Sequence, residues 1–119
     1  MKIILTGVNG QLGYYLNQKL SPFYEVFGVT RESFDLTNVN QMEKVIDDIK
    51  PDLIINSAAY TYVDQAEKES ELVFKTNCEG PKFLAIKSKK LGIPLMQFST
   101  DYVFDGLKVG AYIEADKAN

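Results

Sequence analysis

The stretch FSTDYVFDG, residues 98–106, sets two hydroxyls, Ser99 and Thr100, directly before Asp101 and Tyr102. It follows the apolar run IPLMQ. A threonine hydroxyl just past a strand end can donate to a carbonyl oxygen of a bound molecule, and Asp101 or Tyr102 can help hold a polar one. The same Ser-Thr pair also suits plain strand-end turn chemistry. Near the start of the chain, GVNGQLG, residues 7–13, spaces three glycines as G-x-x-G-x-x-G. Gly7 permits a tight turn off a strand, and Gly10 lets backbone N–H groups approach a diphosphate at a helix N-terminus. Gly13 lets that helix lie close to the strand. Glycine-rich strand-to-helix turns also occur without a ligand. Here the context, after a first strand and before an apolar-faced helix, points to a dinucleotide.

Two further segments follow apolar runs. At the end of a second strand an acid would accept from a ribose 2′-OH, and a base would accommodate a 2′-phosphate. This chain has Thr30-Arg31, then Glu32. Arg31 points to NADPH, or is a solvated surface arginine. Asp35-Leu36, further along, can flank an adenine, with Asp35 accepting from its exocyclic amine. In NSAAYT, residues 56–61, the small Ser57, Ala58 and Ala59 let a flat ligand pass close to the backbone, or allow tight packing beneath a helix. In VDQAE, residues 63–67, Asp64 and Glu67 suit a helix start, whether for capping alone or for function. Asn77 falls in a helical run, where asparagine has poor propensity. It bonds to a neighbouring strand, holds water near the site, or faces solvent.

These residues need elements to position them. KIILTG, residues 2–7, reads as a buried strand, and Leu12, Leu16 and Leu20 share one face of the next helix. Ser21-Pro22 stops that helix. YEVFGVT (24–30) alternates like a strand and SFDLTN forms a loop. Asn38 is a plausible N-cap for a helix presenting Met42, Val45, Ile46 and Ile49, which Pro51 ends. DLIINSAA is a third strand. Residues 63–91 read as helical, with breaks at Ser70 and at Gly80-Pro81, and Gly92 is a natural cap. IPLMQFS is a fourth strand, followed by a loop and a loose acidic tail. The order β-α-β-α-β-α-β predicts an α/β fold, a parallel sheet with helices on both faces. Right-handed crossovers place every candidate residue along one sheet edge, where such folds bind ligands.

Composition narrows the chemistry. The 119 residues suit a single core, and 45% apolar with 24% charged is ordinary globular stock. A net charge of −3, with no basic cluster beyond Lys87, Lys89 and Lys90, argues against nucleic acid as a partner. One cysteine, Cys78, and no histidine exclude a disulfide framework, a Cys/His zinc site and a Ser-His-Asp triad. No apolar segment is long enough for a signal peptide or membrane span, so no membrane partner and a cytoplasmic location are expected.

Together TGVNGQLG (6–13), PDLIINSAAYTYVDQAE (51–67) and FSTDYVFDG (98–106) resemble the extended short-chain dehydrogenase/reductase superfamily, and more narrowly its dTDP-4-dehydrorhamnose reductases. The regulatory subunit of methionine adenosyltransferase has a similar S-[ST]-D-Y-V-F-D-G stretch, but VDQAE fits the sugar reductases better. The resemblance implies a Rossmann-like sheet truncated after the fourth strand, with residues 1–119 the N-terminal part of an NAD(P)-binding domain and the C-terminal substrate-binding part absent. It implies that Gly10, Gln11 and Leu12 line the pyrophosphate, Asp35 and Leu36 the adenine, and Ala59, Tyr60 and Thr61 the ribose and nicotinamide side. Phe98 would lie near the nicotinamide. Thr100 would be the hydroxyl member of the catalytic set, and Thr100-Asp101 the sugar-binding pair. Thr30 stands where the family often carries an acid, so NADPH and NADH both stay open.

The implied activity is NAD(P)H-dependent reduction of the 4-keto group of dTDP-4-dehydro-L-rhamnose to dTDP-L-rhamnose by the parent protein. Magnesium is often described with that family, though no residue cluster reads as a metal site, and a homodimer is possible. The family's tyrosine and lysine, Y-x-x-x-K, are expected beyond residue 119, which would leave this chain inactive alone. Tyr15 and Lys19 have that spacing but fall in the first helix, away from a carbonyl at the site. The alternative is a non-catalytic dinucleotide-binding regulatory subunit of the same superfamily.

Overall fold

The computed structural model describes residues 1–118. Asn119, the last residue of the expected tail, lies outside them. Four strands, β1 (Lys2–Thr6), β2 (Glu25–Val29), β3 (Leu53–Asn56) and β4 (Leu95–Gln97), form one parallel sheet in the order β2-β1-β3-β4. β1 is central, with Ile4 beside Phe27 on one flank and Ile54 on the other. Its Ile3, Ile4, Leu5 and Thr6 are all buried, as a parallel strand covered on both faces must be.

The connections set the layers. β1 leads through α1 (Gln11–Leu20) to β2 on one side. β2 leads back across β1 through α2 (Val39–Ile49) to β3, and then β3 leads outward to β4. With right-handed crossovers, opposite directions put helices on opposite faces. One core accordingly joins Ile4, Val29 and Ile54 to Met42 and Ile46 of α2 and to Leu84 of α5 (Gly80–Leu91). The other joins Ile3, Leu5 and Ile55 to Leu16 and Leu20 of α1. α2 begins where the sequence predicts: Asn38 Oδ1 accepts from the Gln41 N–H at 3.0 Å. It ends at Lys50, in the left-handed region, immediately before Pro51.

Three expectations need correction. Leu12 is 43% exposed and does not share the buried face of Leu16 and Leu20. Gly13 turns toward the strand instead, its bare α-carbon so close that an added Cβ would lie 2.0 Å from the Gly7 carbonyl oxygen. The break expected at Ser70 is present, with α3 (Val63–Ala66) a single turn and α4 (Ser70–Phe74) starting after it. At Gly80-Pro81 there is no break. A π-helical turn, Lys75–Glu79, runs from α4 into α5, with Pro81 in the first turn of α5. A proline ring clashes with the carbonyl four residues earlier in a regular helix, and the wider turn accommodates it. Finally, the tail is not loose. Phe104 stacks on Tyr112 with ring centroids 4.2 Å apart, and Asp116 accepts from Lys108 and from the Ile113 N–H. No helix among the described residues is long and apolar enough to cross a membrane.

Candidate functional site

The loops after β1 and β3 lead to helices on opposite faces, which opens a crevice between them at the C-terminal sheet edge. Gly7 forms its floor. Its φ of +69° suits only glycine comfortably, and an added Cβ would meet Ala58 Cα at 3.0 Å. Its carbonyl accepts from the Gly10 N–H at 2.9 Å, which closes the loop into the start of α1. Gly10 is the N-cap and offers no side chain to the first turn, which carries no acidic residue. The N–H groups of Gln11, Leu12 and Gly13 therefore lack helical or capping acceptors. Uncapped amides at the positive end of a helix, with no carboxylate competing, fit the diphosphate of a dinucleotide.

A cavity of about 490 Å³ lies over this loop. Gly7, Gly10 and Gln11 line its centre, Thr30, Arg31, Asp35 and Leu36 one end, and Ala59, Tyr60 and Thr61 the other. A second cavity, of about 570 Å³, shares Ser57 to Thr61 and continues to Phe98, Ser99 and Thr100. A polar basin of about 600 Å³ adjoins the first through Arg31 and Asp35. The three form one trough from the tip of β2 to the tip of β4.

Of the residues expected to bind coenzyme or sugar, two stand apart. The Leu12 side chain lines no part of the trough, and only its amide is placed to contribute. Asp101 also lines neither cavity; its carboxylate accepts the Thr100 hydroxyl at 3.1 Å. Tyr15 is well exposed on α1 and, with Lys19, lines no part of the trough. Asn9, Phe34, Tyr62 and Thr76 line the first cavity without having been singled out. Asn9 was legible as a member of the glycine loop. Thr76 was not, because only the packing of the π turn brings it there.

The walls are fixed by polar contacts. Thr6 Oγ1 donates to Asn56 Oδ1, both side chains fully buried. Asn56 Nδ2 donates to Gln97 Oε1 at 2.7 Å, and Gln97 Nε2 to the Phe98 carbonyl at 2.7 Å. This relay links the tips of β1, β3 and β4 beneath the trough. Asn77, on the π turn, accepts from the Tyr60 N–H at 2.7 Å and donates to the Tyr60 carbonyl at 3.0 Å. Asn77 is thus exposed, and it clasps the loop after β3 rather than a strand. The Tyr60 hydroxyl donates to Glu69, and that bond to a carboxylate pushes the phenol pKa above its ordinary value.

Asp35 is the clearest charged group at the β2 end. Burial would raise its pKa, but hydrogen bonds from the Thr37 N–H and hydroxyl, each 2.8 Å, and the charge of Arg31 leave it below the usual carboxylate range. Arg31 is 73% exposed and lies 3.7 Å from Asp35, so its guanidinium is loosely tethered at the mouth of the trough. The Thr100 hydroxyl accepts from the Tyr102 N–H at 3.3 Å and so caps a 3₁₀ turn, Asp101–Val103. Its one proton points to Asp101. It must rotate to serve a ligand, so turn chemistry and ligand binding share one group. Among the described residues no group of three or more His, Cys, Asp or Glu comes together to hold a metal ion.

Known proteins match the whole chain. The dTDP-4-dehydrorhamnose reductase of Burkholderia thailandensis is 40% identical over 116 residues, 98% of this chain but 39% of that protein. A crystal structure of a dTDP-4-dehydrorhamnose reductase from Clostridium acetobutylicum superposes with a TM-score of 0.94 at 41% identity, covering 100% of this chain and 43% of that one. That of the Bacillus anthracis enzyme, in complex with NADP, gives a TM-score of 0.85 at 42% identity over 90% of this chain and 39% of that one. The chain thus spans about two-fifths of the length of the relatives it matches. The family model described as the RmlD substrate binding domain matches residues 1–119, and the chain belongs to that family.

Proposed function

We propose that residues 1–119 form the coenzyme-binding part of an NAD(P)H-dependent reductase acting on the 4-keto group of dTDP-4-dehydro-L-rhamnose. The observation that carries this reading is the trough, which runs from the tip of β2 over uncapped helix amides to the Thr100 hydroxyl. When bound, the reduced coenzyme supplies a hydride to the keto carbon. The amides of Gln11, Leu12 and Gly13 hold its diphosphate. Arg31 and Asp35 meet the adenosine end, and Ala59, Tyr60 and Thr61 flank the ribose and nicotinamide. Thr100, turned from Asp101, donates to the substrate carbonyl oxygen, and Asp101 helps hold the sugar. The NADP held by the Bacillus anthracis relative supports the coenzyme class.

The proton that completes the alcohol needs an acid; Tyr102 lines the same cavity as Thr100 but has no lysine four residues on, and Tyr15 and Lys19 line no part of it. We therefore expect coenzyme binding without appreciable turnover by this chain alone. Loss of a general acid costs about 10²–10⁴ in rate. Nicotinamide fluorescence titration should show saturable binding of NADPH or NADH, and binding of neither would overturn the proposal. The Thr100–Asp101 hydrogen bond favours a second reading, a non-catalytic dinucleotide-binding subunit. Restored turnover on adding the remaining portion of the parent protein would exclude it.

A further inference from the structure

Gln41 sits in the first turn of α2, where a glutamine ordinarily reaches back to the N-cap backbone N–H. Here that N–H, of Asn38, donates to the Asp35 carbonyl at 2.9 Å instead. The Gln41 amide is diverted to the preceding loop. Its Oε1 accepts from the Asp35 N–H at 2.7 Å, and its Nε2 donates to the Glu32 carbonyl at 2.9 Å. One side chain thus bridges both ends of the Glu32–Asp35 segment, using its acceptor and its donor. A second brace acts on the neighbouring residue. Gly80, at the start of α5, approaches so closely that an added Cβ would lie 2.7 Å from the Leu36 carbonyl oxygen.

We infer that Gln41 is a positioning residue for coenzyme discrimination, holding the turn from which Arg31 and Asp35 face the adenosine end of the trough. This rests on the reading of the trough as a coenzyme site. NADH and NADPH differ only at the adenosine 2′-position, hydroxyl in one and phosphate in the other. Arg31 is long, largely exposed and tethered only at 3.7 Å, so its aim depends on the backbone that Gln41 braces. The diphosphate contacts lie on α1 and do not depend on it.

The test uses the full chain with Gln41→Met, which keeps the length of the side chain and removes both hydrogen bonds. Exchange of the Asp35 amide should quicken at least about tenfold. The ratio of the NADH to the NADPH dissociation constant should fall at least about threefold, with little change in thermal midpoint. An unchanged ratio, whether both affinities hold or fall together, overturns the inference and leaves the coenzyme reading standing. Binding of neither coenzyme by the unsubstituted chain overturns both. Gln41→Glu keeps an acceptor for the Asp35 amide, so slow exchange there should survive. Loss of protection as complete as in Gln41→Met would show that the brace does not protect that amide.

Discussion

At the scale of single residues, the loop after β1 depends on an absence of atoms. Replacing Gly13 by alanine would set a methyl 2.0 Å from the Gly7 carbonyl oxygen, far inside contact distance, and backbone on both sides leaves nothing flexible to yield. α1 must slide away from β1, carrying the Gln11 and Leu12 amides with it. Gly13→Ala should therefore weaken coenzyme binding at least about tenfold and lower the thermal midpoint. Fluorescence titration beside a melting curve checks this, and wild-type affinity would show that those amides do not hold the diphosphate. Asp35 makes a prediction about acid. Burial opposes its charge, but the Thr37 and Arg31 contacts prevail and depress its pKa. A carboxyl with a lowered folded pKa contributes stability that is present above its unfolded value, about 3.9, and is lost as pH falls through the folded value. NMR titration should place the Asp35 midpoint below that of an unfolded peptide, and Asp35→Asn should flatten the acid limb of stability. A midpoint at or above the peptide value would mean that burial wins.

At the scale of elements, α2 and α5 are joined through an ammonium group. The Lys87 side chain is 7% exposed, with Nζ 2.8 Å from Glu43 and 2.9 Å from Asp47. Hydrogen bonds to Asp47 and Glu43 raise its pKa. Its stabilising contribution is thus complete below the unfolded lysine value and fades only as pH rises through the higher folded one. The two sides of this cluster are unequal, because both carboxylates are about half exposed and the lysine is not. Lys87→Met leaves two hydrated acids and should change the thermal midpoint little. Removing both acids, Glu43→Ala with Asp47→Ala, strands a buried charge and should lower it sharply. Equal effects from the two variants would contradict this asymmetry. None of this pairing was legible in sequence, since Lys87 and Glu43 meet only after the crossover is folded. What was legible followed from local rules: the apolar strands, the Asn38 cap, and the glycine loop. The errors fell where tertiary contact overrode a local signal. Gly13 displaced Leu12 from the buried face, and the π turn absorbed Pro81. Likewise the lining of the trough was readable where residues follow a strand, and unreadable at Thr76 and Gln41, which reach it from helices.

At the scale of the molecule, the two faces of the sheet are unequally covered. α2 and α5 pack over one face, and α1 packs over residues of β1, β2 and β3 on the other. β4 pairs with β3 on one side and is the sheet's edge on the other. Met96 on this edge strand is half exposed, and Leu107 and Val109 in the following loop are more so, Val109 fully. An edge with free backbone groups and apolar side chains is a template for pairing with another chain. The net charge of −3 opposes association only weakly. Residues 1–119 alone should therefore self-associate reversibly as concentration rises, as sedimentation velocity would show. Met96→Lys sets a charge on the edge without touching the trough, and it should shift that equilibrium toward monomer while leaving coenzyme affinity as it was. A chain that stays monomeric at high concentration, or a Met96→Lys variant that associates as strongly as the unsubstituted chain, would show that this edge is not the adhesive surface.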